Sequence, residues 1–99
     1  MRFLLVEDSP ELARSVRDLL SLDGHGVDWA ASLAEAQDCL NAARYDLILL
    51  DIMLPDGDGR RFLQGQRRAG HDTPVIVMTA RAAVSDRVDV LDSGADDYI

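Results

Sequence analysis

Lysine is absent from this 99-residue chain: all ten of its basic residues are arginine. Against eighteen acids they leave a formal charge of −8. That shortage of cations opposes direct contact with DNA or an anionic membrane, because holding phosphates takes an excess of positive charge. Cysteine is nearly absent as well. Cys39 stands alone, which excludes an internal disulfide framework and any multi-cysteine zinc site. Long apolar runs are lacking, and none approaches the ~20 residues of a membrane-spanning helix. The opening Met1-Arg2-Phe3-Leu4-Leu5-Val6 meets acid at Glu7-Asp8 too soon to act as a secretion signal. Repeats, low-complexity tracts and linkers are missing too. A cytoplasmic chain with one domain over residues 1–99 is expected.

What is present is a globular balance, 47% hydrophobic and 28% charged, which argues against disorder. Phe3-Leu4-Leu5-Val6 is a short continuous apolar run, the mark of a strand buried on both faces. Ser9-Pro10-Glu11 opens a helix with a capping hydroxyl and a proline at the first position, and Leu12, Val16, Leu19 and Leu20 mark its inward face. Asp23-Gly24-His25-Gly26 breaks it, and Val27-Asp28-Trp29-Ala30 reads as an edge strand. Ser32 and Glu35 have capping-box spacing ahead of a helix with Leu33, Ala36, Leu40 and Ala43 inward. Leu47–Leu50 is the next buried strand, ending on Asp51; Leu54–Gly59 is dense in turn residues; a helix follows over Arg60–Arg68. Val75–Met78 forms a further strand ending at Thr79, Val84, Val88 and Leu91 mark another helix, and Asp97-Tyr98-Ile99 opens a fifth strand. Strict alternation of strand and helix predicts an α/β fold, a doubly wound parallel sheet with helices on both faces.

Ligands of such sheets bind beyond the carboxyl ends of the strands, near the point where strand order reverses. Each central strand delivers a polar group there: Glu7 and Asp8 from the first, Asp51 from the next, Thr79 from the fourth. Converging carboxylates raise one another's pKa unless a cation joins them. Mg²⁺ suits the set, since it takes one or two carboxylates directly and keeps several waters. An aspartate beside such an ion can attack phosphorus and form an acyl phosphate. Thr79 and the backbone N–H of Ala80 would be donors to the phosphoryl oxygens, and the Met53 carbonyl a neutral metal ligand.

The residues Leu5-Val6-Glu7-Asp8, Asp46–Pro55, Asp58-Gly59, Val77-Met78-Thr79-Ala80-Arg81 and Gly94–Ile99 together resemble the receiver domain of bacterial two-component response regulators. The last segments, with Asp86-Arg87-Val88 between them, look most like the subfamily with a downstream winged-helix DNA-binding domain. That resemblance implies a flavodoxin-like fold with strand order 2-1-3-4-5. It implies phosphotransfer from a sensor histidine kinase to Asp51, with Asp8, Asp51 and the Met53 carbonyl on Mg²⁺ and Glu7 acting mainly through water. Thr79 and Tyr98 would be the switch residues, and Arg87, Asp96 and Asp97 belong to the implied homodimer face. DNA would be met only through a domain outside these residues. The family's lysine falls two residues past the position of Ile99, and the fifth helix further on. The expectation is therefore a receiver domain incomplete at its fifth strand, a switch rather than an enzyme in its own right.

Other readings compete. Glu7-Asp8 alone reads as a solvated loop ahead of the first helix. A missing last helix would leave apolar strands exposed, which favours an interaction module that associates without phosphotransfer. An aspartate-dependent phosphohydrolase needs a second acid near the nucleophile, and Met53 occupies that position. Asp56-Gly57-Asp58-Gly59 fails as a calcium loop, because placing either glycine sixth puts Leu54 or Ile52 first, where aspartate is needed. Cys39 reads as a structural thiol, His25 and His71 as solvated loop residues, and Trp29 as packed on the second strand or its rim. Arg60, Arg61, Arg67 and Arg68 form a basic stripe read as a solvated helix face.

Overall fold

Runs of branched aliphatics too short for helices pair into a parallel sheet, and amphipathic segments between them cross back over its faces. The computed structural model describes residues 1–51, 53–78 and 97–98. In chain order the elements are β1 (Arg2–Val6), α1 (Pro10–Leu22), β2 (Gly26–Ala30), α2 (Leu33–Ala42), β3 (Leu47–Asp51), β4 (Met53–Leu54), β5 (Gly57–Asp58), α3 (Gly59–Arg68), β6 (Val75–Met78) and β7 (Asp97–Tyr98). The main sheet runs β2-β1-β3-β6-β7 with every pairing parallel, which is the expected 2-1-3-4-5 order once the short β4–β5 pair is set aside. The expected helix around Val84, Val88 and Leu91 lies outside the described residues.

The strand sequences alternate between two cores. Leu4, Val6, Ile48, Leu50, Val75 and Val77 face Ala36 of α2 and Leu63 of α3, while Leu5 and Leu49 face Ala13 of α1. Removing most of a side chain such as Leu50, almost fully buried, costs about 2–5 kcal/mol in sites of this kind.

Helix α1 corrects one expectation. Leu12 and Leu19 are 48% and 64% exposed, and the inward line runs through Ala13, Val16 and Leu20 instead. The small Ala13 lets the helix settle close to the sheet, which turns the two larger residues onto its flank. Its start matches the reading: Ser9 Oγ accepts from the Leu12 amide at 3.3 Å, with Pro10 first in the helix. At α2, Ser32 Oγ accepts from Glu35 N at 3.2 Å, but Glu35 reaches past the cap to accept from Ala31 N at 2.7 Å.

The turn-rich segment contains an antiparallel hairpin, β4 with β5, that the sequence reading took as turn alone. Its tip is docked on α2. Asp56 accepts from the Leu33 and Ala34 amides at 2.9 and 3.0 Å, capping the helix a second time from outside. Glycine suits the position beside it: Gly57 holds φ +156°, which L side chains rarely adopt, and a Cβ there would press on Leu33 Cδ1 at 3.0 Å. Asp58 then caps α3 through the Arg60 amide at 2.8 Å, so that helix begins one residue before the expected Arg60.

At the opposite end of the sheet, polar residues close on one another. Asp28 Oδ2 accepts from Arg2 Nη2 at 2.8 Å and from the Tyr45 hydroxyl at 2.6 Å, and the Arg2 guanidinium lies 5.3 Å from the Tyr45 ring centroid. His25 is not the solvated loop residue expected: its ring packs against Phe3 at 4.8 Å, and Nδ1 lies 3.3 Å from the Met1 amine. His71 is exposed, as expected.

The Tyr45 hydroxyl, and after it Arg2, hold the Asp28 carboxyl below its ordinary pKa. A depressed folded-state pKa adds stability above the unfolded value, lost as pH falls through the folded one. The Asp28 side chain is 41% exposed, so solvent screens the effect. Tyr45→Phe is expected to lower unfolding stability by about 1 kcal/mol at neutral pH. The gap between variant and wild type should shrink as Asp28 protonates, which urea denaturation at neutral and acid pH measures.

Candidate functional site: acids converging at the sheet edge

Strand order reverses between β1 and β3, which lie side by side although β2 is the next strand after β1 in the chain. Their register pairs Val6 with Leu50. The residues that follow, Glu7 and Asp51, therefore leave the sheet as neighbours, and Asp8 comes one residue later. The result is a cluster in which one carboxylate oxygen from each of Glu7, Asp8 and Asp51 lies within 4.8 Å of the others. Among the described residues it is the one grouping of three or more such ligands.

Burial differs sharply across the cluster. Glu7 is only 4% exposed, Asp51 is half-buried, and Asp8 is exposed. Burial first, then the hydrogen bond and charge of Asp51, push the Glu7 carboxyl from its ordinary 4.5 up to about 7. The Ser9 amide, 3.3 Å from Glu7 Oε1, pulls the other way and is outweighed. Without a cation, Glu7 therefore keeps a proton into the neutral range.

The main chain of Glu7 is held on both sides by β2. Its N–H donates to Ala30 O at 3.0 Å, and its carbonyl accepts from the Trp29 indole Nε1 at 2.7 Å. Trp29 was expected at the second strand or its rim, and it stands at the rim. Its hydrogen bond to the acidic loop was not foreseen, although strand alternation from Val27 already puts the indole on the α1 side. Asp56 was missed because an acid in a turn has no mark that names the distant amides it will cap.

Three acids fit a hard divalent cation. Oxygen donors on two neighbouring strand tips, one exposed and one half-buried, match an ion that binds through few carboxylates and retains water. Met53 follows in the hairpin, its backbone paired with Asp58. Thr79, Ala80, Arg87 and Asp96 lie outside the described residues; Met78, paired with Asp51, is the residue before Thr79. Asp97 and Tyr98 lie in β7, where Tyr98 pairs with Val77.

Residues 3–99 match the response regulator receiver domain family. The chain belongs to that family. It is 41% identical over 99 residues to the swarming motility regulation protein RssB of Serratia marcescens, covering all of this chain and 45% of that protein. It is 43% identical to the transcriptional regulatory protein DltR of Streptococcus agalactiae, again over the whole chain and 44% of the relative. The chain thus spans less than half the length of these relatives.

Among solved structures, the receiver domain of the Francisella response regulator 1452 superposes with a TM-score of 0.94 at 30% identity, over 99% of this chain and 81% of that one. The response regulator TrrA of Thermotoga maritima, solved with Mg²⁺ and beryllium fluoride, gives 0.87 at 30% identity, over 99% and 84%. The fold is the flavodoxin-like receiver fold. Receiver domains are phosphoacceptor switch domains of two-component signalling that interact with histidine kinases. No helix among the described residues is long and apolar enough to cross a membrane.

The raised Glu7 pKa has a measurable sign. A carboxyl whose folded pKa lies above its unfolded one loses stabilisation as pH rises through about 7. The metal-free protein should therefore lose stability from about pH 4.5 to about pH 7 and level off above, and Mg²⁺ affinity should climb as pH rises toward 7 and the proton leaves. Calorimetry in two buffers of different ionisation enthalpy should show up to about one proton released per metal below pH 7.

Proposed function

We propose that Asp51 is the phosphoacceptor of this receiver domain and that Glu7, Asp8 and Asp51, with the Met53 carbonyl, hold Mg²⁺ beside it. The observation that supports this most is the convergence of the three carboxylates within 4.8 Å at the edge where strand order reverses. An Asp51 carboxylate oxygen attacks phosphorus of a kinase phosphohistidine; the O–P bond forms as the P–N bond breaks, and the imidazole leaves. Mg²⁺ supplies positive charge against the phosphoryl oxygens. Asp8, the exposed member, would hold the ion directly with Asp51, and buried Glu7 would act mainly through water. Thr79 and the Ala80 N–H donate to the phosphoryl oxygens, which gives them an electrostatic role.

The switch then runs through Thr79 and Tyr98, and dimerisation through a face that includes Arg87, Asp96 and Asp97. The partners are a sensor histidine kinase and a second copy of the chain. The domain assists its own phosphorylation and dephosphorylation without being an enzyme for a separate substrate. It works in the cytoplasm as the receiver part of a longer transcription regulator with a winged-helix output domain, which alone meets DNA. The relatives described as transcriptional regulators, and the receiver solved with Mg²⁺, support this assignment.

Incubating the full-length protein with acetyl phosphate and Mg²⁺ should add one phosphoryl group by intact-mass measurement. Asp51→Asn should abolish the gain, and chelation of Mg²⁺ should suppress it at least about tenfold. A wild-type protein that gains no mass overturns the assignment.

A further inference from the structure

The hydrogen bond from the Trp29 indole to the Glu7 carbonyl has no counterpart in the pairing of β1 with β2. Strand β1 ends at Val6 and β2 at Ala30, so the ladder has run out where Glu7 begins. The Glu7 N–H still finds Ala30 O, and its carbonyl lies beyond the last paired residues of that ladder. The indole Nε1 fills that place at 2.7 Å, the short end of the range for N–H···O bonds.

The carbonyl of Glu7 lies in the same rigid peptide plane as the N–H of Asp8. Fixing the carbonyl therefore fixes the direction in which the chain enters Asp8. This matters most for Asp8, because it is exposed and no packing aims its carboxylate. Glu7 is buried, and the Ser9 amide contacts its side chain. The indole thus bears on the most exposed carboxylate of the cluster.

We infer that Trp29 is a positioning residue for the metal site: its indole N–H sets the Glu7–Asp8 peptide so that Asp8 meets Asp51 ready to share a cation. The inference rests on the assignment of Mg²⁺ to these acids. It places the effect on metal affinity and leaves the chemical step at Asp51 alone. Trp29 is also the chain's single tryptophan and 38% exposed, so its emission should report the charge state of the loop it holds.

Two variants separate the hydrogen bond from the bulk of the ring. Trp29→Phe removes the N–H together with part of the ring. Incorporating 3-benzothienylalanine at position 29 replaces only the N–H with sulfur. Both should weaken Mg²⁺ binding by about fivefold in calorimetry, the scale of one lost hydrogen bond. Phosphorylation by acetyl phosphate at saturating Mg²⁺ should stay within about twofold of wild type, since an affinity effect vanishes at saturation. Wild-type tryptophan emission should titrate with Mg²⁺ at the calorimetric midpoint. Unchanged affinity in both variants overturns the inference while leaving the metal assignment standing. Weakening in Trp29→Phe alone assigns the effect to packing and overturns it as well. A wild-type protein that binds no Mg²⁺ overturns both the inference and the assignment beneath it.

Discussion

Like charges do not gather by themselves, so something else must hold Glu7 and Asp51 together. The pairing of Val6 with Leu50 does it. Two strands of buried aliphatics lock in one register, because a slip of one residue would turn each side chain toward the wrong core. The acids at their ends have no choice of position. Hydrophobic burial across the sheet sustains this meeting of acids at its edge, and the Glu7 carboxyl answers with a raised pKa, first through its own burial and then through the hydrogen bond and charge of Asp51. A divalent cation relieves it. Any gain from a bound cation and the cost to the metal-free fold would therefore have one origin.

The two ends of the sheet make an instructive contrast. At the amino ends of the strands Asp28 faces a guanidinium and a hydroxyl, and the Arg2 amide donates to Asp46 at 2.7 Å. At the carboxyl ends one carboxylate oxygen from each of Glu7, Asp8 and Asp51 lies within 4.8 Å of the others. Elsewhere arginine meets acid within the chain: Arg2 bonds Asp28 and Arg60 bonds Asp58.

Much of this was legible in the residues. Continuous runs such as Leu47–Leu50 announce buried strands, and the acid ending each run announces a strand tip, so the cluster of Glu7, Asp8 and Asp51 follows from pattern plus the rules of parallel sheets, whereas the order of the strands was implied by the family resemblance. The inward face of α1 was misread at Leu12 and Leu19 because periodicity finds a stripe but cannot weigh a small residue against a large one. Ala13 wins through closeness of approach. The Trp29 and Asp56 contacts were illegible for another reason: each joins elements distant in sequence, and only the finished fold brings donor and acceptor together. His25 on Phe3 belongs to the same class.

The docked hairpin carries a consequence for how the loop after Asp51 can vary. Six residues, 53–58, separate Asp51 and its neighbour from α3, and Asp56 spends both carboxylate oxygens on two successive amides of α2. An insertion or deletion ahead of Asp56 would rotate or carry that carboxylate off its two partners. A change after it would disturb the Asp58 cap instead. The segment is thus a spacer of fixed length, bolted at both ends, and the diversity that surface loops ordinarily tolerate has to be sought elsewhere on the molecule.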